Sequence, residues 1–166
     1  MQTPLIILSI LFLPTLLAAA FGLWTGRPGT YRTGGLWALS AAFVFFGVGH
    51  FIMTEDMVAM LPDALPARRA IVIATGLLEF ALAALLLVPG LQRVVGLACV
   101  AVFVLFFPAN IYAALQHSGP GGHQWGAVYL AVRAPIQLLL IAWAVWFAIL
   151  PTRDSGQHQD PLSSAG

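Results

Sequence analysis

The chain has 166 residues, of which 60% are hydrophobic and only 8% charged, and its formal net charge is +1. A surface drawn from that composition calls for lipid as its solvent. All seven basic residues are arginine, too few and too scattered to hold nucleic acid by counterion release. The single Cys99 excludes an intrachain disulfide and any redox mechanism that needs two thiols of this chain.

Five apolar runs follow one another: residues 4–24, 36–53, 70–88, 94–115 and 127–150. About 20 helical residues span a hydrocarbon core of roughly 30 Å, and backbone groups in lipid must be satisfied within the segment, so each run is expected to be a transmembrane helix. The first run could instead be a cleaved signal peptide, since "LLAAAFG" offers an Ala-x-Ala site. It lacks a basic n-region, however, and is long for an h-region. Charge argues for retention. With five spans, Arg27, Arg32, Arg93 and Arg153 share one side, and Arg68 and Arg69 the other. The positive-inside rule then puts the N-terminus outside and the polar tail 152–166, expected to be disordered, in the cytoplasm.

Between the runs, "TGRPGTYRTGG", "PGLQR" and "SGPGGHQWG" read as turn chemistry. The longer connection, residues 54–69, lies on the outer face. Met53, Met57, Met60 and Leu61 recur at helical spacing, with Glu55 and Asp56 in the first turn and Pro62 and Pro66 as stops. A short interfacial helix over 54–61 is expected. It either closes the bundle or acts as a lid over a cavity.

Polar residues inside the runs are costly in lipid and are expected to face one another. Counting from the outer helix ends at ~1.5 Å per residue, Glu79 lies ~14 Å deep, Arg133 ~9 Å and Asn110 ~8 Å. His50 lies nearer the outer surface. Tyr129, Arg133 and Gln137 form a stripe of fours on the last helix, and Asn110 shares a face with His117. Pro108 and Pro135 each release a carbonyl four residues earlier. The simplest reading is a buried Glu79–Arg133 ion pair, with Asn110, Gln137 and His50 satisfying the remaining groups. Such a set serves as a structural network, as a site for an anionic or carbonyl-bearing small molecule, or as a proton relay. No metal is expected: His117 and His123 lie in or beside a Gly-rich loop without ligand spacing.

Several blocks, "FFGVGHF" at 45–51, "MLPDALP" at 60–66, "GLLEFALAALLLVP" at 76–89, "FPANIYAAL" at 107–115 and "RAPIQLLLIAW" at 133–143, resemble the bacterial DoxX and DoxX-like family. That resemblance spans about residues 36–147. It implies an all-α, antiparallel four-helix bundle in the bacterial inner membrane, here with one additional N-terminal helix. It also implies a place as a subunit or accessory of a quinone-linked oxidoreductase, with quinone as a possible cofactor and a redox protein as partner. The positions matching its blocks are His50, Glu79, Asn110, Arg133 and Gln137. A non-enzymatic scaffold, or a carrier of a small solute, is the alternative reading.

Overall fold

The computed structural model describes residues 2–27, 29–117 and 125–150. Six α-helices occur among them: α1 (Gln2–Thr25), α2 (Thr30–Ile52), α3 (Thr54–Val58), α4 (Arg68–Leu86), α5 (Gln92–Leu115) and α6 (Ala127–Ala144). The last runs on into a π-helical turn at Val145–Ile149, and the described residues contain no strand. All but α3 are long and apolar enough to cross a membrane. Arg153, His123 and the tail 152–166 lie outside the described residues.

Helix α2 is the hub. It packs on α1 and α4 and touches α6, while α5 joins α4 to α6. Together α2, α4, α5 and α6 surround a common core, and α1 lies against α2 with a lighter contact to α6. Only a narrow strip of α1 is buried, through Ile7 and Leu11. Its remaining surface shows Leu5, Leu13, Leu16, Leu17, Leu23 and Trp24 outward. A helix apolar on every side, with most of that surface uncovered, suits a lipid solvent.

The expected turn "TGRPGTYRTGG" is only half a turn. Gly29, at φ 132, makes the break, but α2 already begins at Thr30 and not at residue 36. Its Gly34–Gly35 pair is a contact surface. A Cβ at Gly34 would lie 2.5 Å from the Ala18 Cβ and 3.0 Å from the Pro14 carbonyl oxygen, so the bare backbone lets α1 come close. Gly35 makes room for the ring of Phe147, and Gly96 for the methyl of Ala148. The π-helical turn fits between these two glycines. The other helices start within two residues of expectation, because their runs are bounded by Pro89–Gly90 and by Gly126, where φ is positive at both glycines.

One end of the bundle is filled. Trp143 and Phe147 meet there at 4.9 Å between centroids, while Phe43 and Phe103, at 5.0 Å, close the core toward the middle of the bundle. The Trp143 Nε1–H donates to the Gly35 carbonyl at 3.1 Å, and Arg32 donates to the Leu150 carbonyl. Leu39, Leu86, Cys99 and Ala144 complete a fully buried core there.

The opposite end is less tightly filled. Helix α2 stops at Ile52, where the Thr54 hydroxyl donates to the His50 carbonyl at 2.7 Å. The expected interfacial helix is shorter than anticipated: α3 ends at Val58, and tighter i→i−3 bonds carry the chain through Met60 and Leu61. Two ion pairs tie this segment to the start of α4, Arg69–Glu55 at 2.7 Å and Arg68–Asp63 at 2.6 Å. Arg68 also donates to the Leu61 carbonyl at 3.3 Å. The chain is thereby drawn over the end of the bundle.

Candidate functional site

The α2–α4 crossing builds the first part of the site. Val72, Gly76, Glu79 and Ala83 share one face of α4 and are buried against α2. At that face the Ser40 hydroxyl donates to the Ala83 carbonyl at 2.8 Å, and Gly47 lies under the ring of Phe80. A Cβ added at Gly76 would fall 2.7 Å from the His50 Cβ. Glycine is therefore what allows His50 to lie directly on α4.

The tautomer of His50 follows from its neighbours. Its Nδ1 is 2.9 Å from the Val72 carbonyl oxygen, which can only accept, so Nδ1 carries a hydrogen. The Thr75 oxygen, 3.2 Å from Nδ1, accepts from the same hydrogen, while the Thr75 hydroxyl donates to main-chain carbonyls. That leaves Nε2 facing Glu79 Oε2 at 3.4 Å. Since Nδ1–H is already committed, Nε2 and the carboxylate have one dissociable proton to share between them.

The expected Glu79–Arg133 ion pair does not form. The ion-pair partner of Glu79 is His50, and Arg133 lies within electrostatic reach of the carboxylate but is not paired with it. Depth counting put Glu79 ~5 Å deeper than Arg133, within reach of a long side chain, but the helix rotations point His50 at the carboxylate. Arg133 instead takes Tyr129, one turn away on α6, as its hydrogen-bonding neighbour, and its Nε is buried with no hydrogen bond. Glu79 Oε2 likewise makes no hydrogen bond of ordinary geometry. Asn110 donates to the Phe106 carbonyl at 3.0 Å, and Gln137 donates across to the Phe103 carbonyl, tying α6 to α5. That acceptor lies one residue before the carbonyl released by Pro108.

These groups line one cavity of about 520 Å³. His50, Glu79, Asn110, Tyr129, Arg133 and Gln137 all border it, and the rest of its wall is largely apolar. Met57, Met60 and Leu61 of the connection after α2 border it too, the arrangement that a lid requires. Its volume falls in the range of small-molecule sites, and a mostly apolar wall with a few converging polar groups is their usual make-up. His117, expected to share a face with Asn110, is not part of the cavity. It follows the end of α5 at φ 53, with its ring against Gly126.

Sequence reasoning missed the Val72 carbonyl, Thr75 and Gly76. The helical spacing of 72, 75, 76 and 79 puts all of them beside Glu79 and could have signalled them. Nothing in the sequence singles out the Phe103 carbonyl.

A family model described as "Domain of unknown function (DUF8561)" matches residues 39–148, and the chain belongs to that family. This corrects the resemblance to DoxX, which does not match. The quoted blocks are mostly Leu, Ala, Phe and Gly at helical spacing, and membrane helices of unrelated families reuse that vocabulary. No curated protein matches the chain. No solved structure matches it either. The family match begins inside α2, so α1 lies outside it.

The pairing is testable by double-mutant cycles on reversible unfolding in detergent. His50→Ala and Glu79→Gln should couple by on the order of 1–2 kcal/mol, above the ~0.6 kcal/mol average of interhelical hydrogen bonds in membranes. Arg133→Gln and Glu79→Gln should couple more weakly than that. The reverse order of couplings would restore the Glu79–Arg133 pair and remove the one described here.

Proposed function

We propose that this protein is a multi-pass membrane protein whose cavity binds a lipid-soluble small molecule by an oxygen-bearing head group. The observation that carries this reading is the unpaired, buried Nε–H of Arg133 beside a largely apolar cavity. A guanidinium offers five donors and no acceptor, so its free side calls for a carbonyl or an anionic oxygen. The tail would follow the apolar wall, along Phe45, Phe46 and Leu140. Ile52 and Leu105 border the cavity and are also turned outward, 75% and 72% exposed, so the route in runs from the lipid side.

Quinones belong to this ligand class, as do long-chain acids. The quinone-linked redox role, its partner protein and the bacterial inner membrane were implied by the DoxX resemblance, and nothing in the fold replaces that support. The scaffold alternative would use the exposed apolar face of α1, which lipid covers equally well.

Small molecules released from gently purified protein should include one lipid-soluble species at near one per chain, identified by mass spectrometry. Arg133→Gln should lose most of it while staying folded. A folded wild-type protein that carries only bulk phospholipid, and is stabilised by neither an added quinone nor an added long-chain acid, would end this reading.

The orientation is part of the same proposal. Arg27, Arg32 and Arg93 lie at the filled end and Arg68 and Arg69 at the cavity end, so the positive-inside rule turns the cavity outward. A cysteine placed at Thr30 should react with an impermeant maleimide only after the membrane is opened. Labelling in intact cells would invert the assignment.

A further inference from the structure

Charge balance in the cavity narrows the ligand class, given that the cavity binds a lipid-soluble molecule at all. The ionisable residues that border it are His50, Glu79, Tyr129 and Arg133. Helix α2 contributes His50 to the neighbourhood of Glu79, and α6 contributes Arg133 and Tyr129. Helix α5 contributes Asn110, which does not titrate, and the connection after α2 contributes methionines and a leucine. The acids of that connection are Glu55, held by Arg69, Asp63, held by Arg68, and the exposed Asp56. None of them borders the cavity.

Two charge states of this set can be compared. With the shared proton absent from the His50–Glu79 pair, the carboxylate is negative, the imidazole is neutral and Arg133 is positive. The empty cavity is then neutral overall. With the proton present the pair is neutral as a unit, whichever partner holds it, and the cavity carries the uncompensated charge of Arg133. An uncompensated buried charge is costly, so the protonated pair needs an anion beside the guanidinium.

We propose that the cavity takes up a lipid-soluble monoanion, a long-chain carboxylate in character, together with one proton. The carboxylate would sit side-on against the Nε–H of Arg133 and a terminal N–H of the same fork. The proton would sit on the His50–Glu79 pair. When the incoming molecule is the un-ionised acid, its O–H bond breaks, the electron pair stays on the carboxylate, and the proton passes to the pair. When it arrives as the anion, the proton comes from water. In both cases the filled site is neutral. Nothing is oxidised or reduced.

A neutral carbonyl compound satisfies the Arg133 donors without changing the charge of the site, and so takes up no proton. That difference separates this inference from the broader reading. Hexadecanoic acid, its methyl ester, a decyl quinone and decyl sulfonate serve as probes, with thermal unfolding and calorimetry in detergent as readouts. Decyl sulfonate is ionised throughout the working pH range, so any proton taken up on its binding goes to the protein. Calorimetry in buffers of different ionisation heat should show one proton taken up per sulfonate bound. Its affinity should fall about tenfold per pH unit wherever the empty pair is unprotonated. Glu79→Gln should bind the sulfonate at least as tightly as wild type, with no proton uptake and no such slope, because its cavity is always one charge more positive. Arg133→Gln should lose both acids.

Where a variant fails to fold, the proton count on wild type decides alone. Equal binding of hexadecanoic acid and its ester, sulfonate binding without proton uptake, or uptake that survives in Glu79→Gln would each overturn the inference. Binding of the quinone with no binding of either acid would overturn it as well, while leaving the broader reading in place. Failure of all four probes would remove both.

Discussion

The His50–Glu79 side of the cavity depends on how closely α2 approaches α4. Gly47 and Gly76 leave the two backbones unobstructed where they cross, and the carbonyl of Val72 is therefore within hydrogen-bond reach of the His50 ring. That bond fixes which ring nitrogen carries hydrogen, and so aims the other at Glu79. The network differs from ordinary interhelical polar bonds in one respect. It sets an imidazole and a carboxylate face to face in a cavity whose wall is largely apolar. In such surroundings the alternatives for a charge are few: a partner, a proton or a ligand.

The two ends of the bundle show why the cavity lies where it does. At the filled end, glycines at 34, 35 and 96 allow close approach, and the rings of Trp143 and Phe147 occupy the remaining space. At the other end α2 stops at Ile52, α4 begins only at Arg68, and the connection between them lies over the top. Its methionines are flexible, polarisable side chains that suit a covering able to repack around a guest. Exposed ion pairs of the Arg69–Glu55 kind position this segment but add little stability to it.

Much of this was legible in the sequence, and the parts that were not have a common cause. Helix existence and depth depend on runs of apolar residues and on ~1.5 Å per residue, so five spans could be counted off, with His50, Glu79, Asn110 and Arg133 in the outer half of the membrane or at its middle. Which of those groups touch depends on the rotation of each helix about its axis, and counting does not supply that. Opposite charge alone matches Arg133 to Glu79, whereas His50 occupies the position. Gly34–Gly35 has the look of a turn because glycine breaks helices in water. Between helices in lipid the same residue is a contact. The family was misread for a related reason: short apolar blocks carry little information about ancestry when the solvent itself demands them.

The central claim is that His50 is fixed by Val72 and shares a proton with Glu79, and the ring nitrogens report it directly. Nitrogen NMR of 15N-histidine-labelled protein, with His50 assigned from His50→Gln, should show Nδ1 protonated across the whole accessible pH range. In the neutral ring Nε2 should be the nitrogen without hydrogen, and its chemical shift should respond to Glu79→Gln. A neutral His50 with its hydrogen on Nε2, or an Nε2 shift indifferent to Glu79→Gln, would contradict this arrangement.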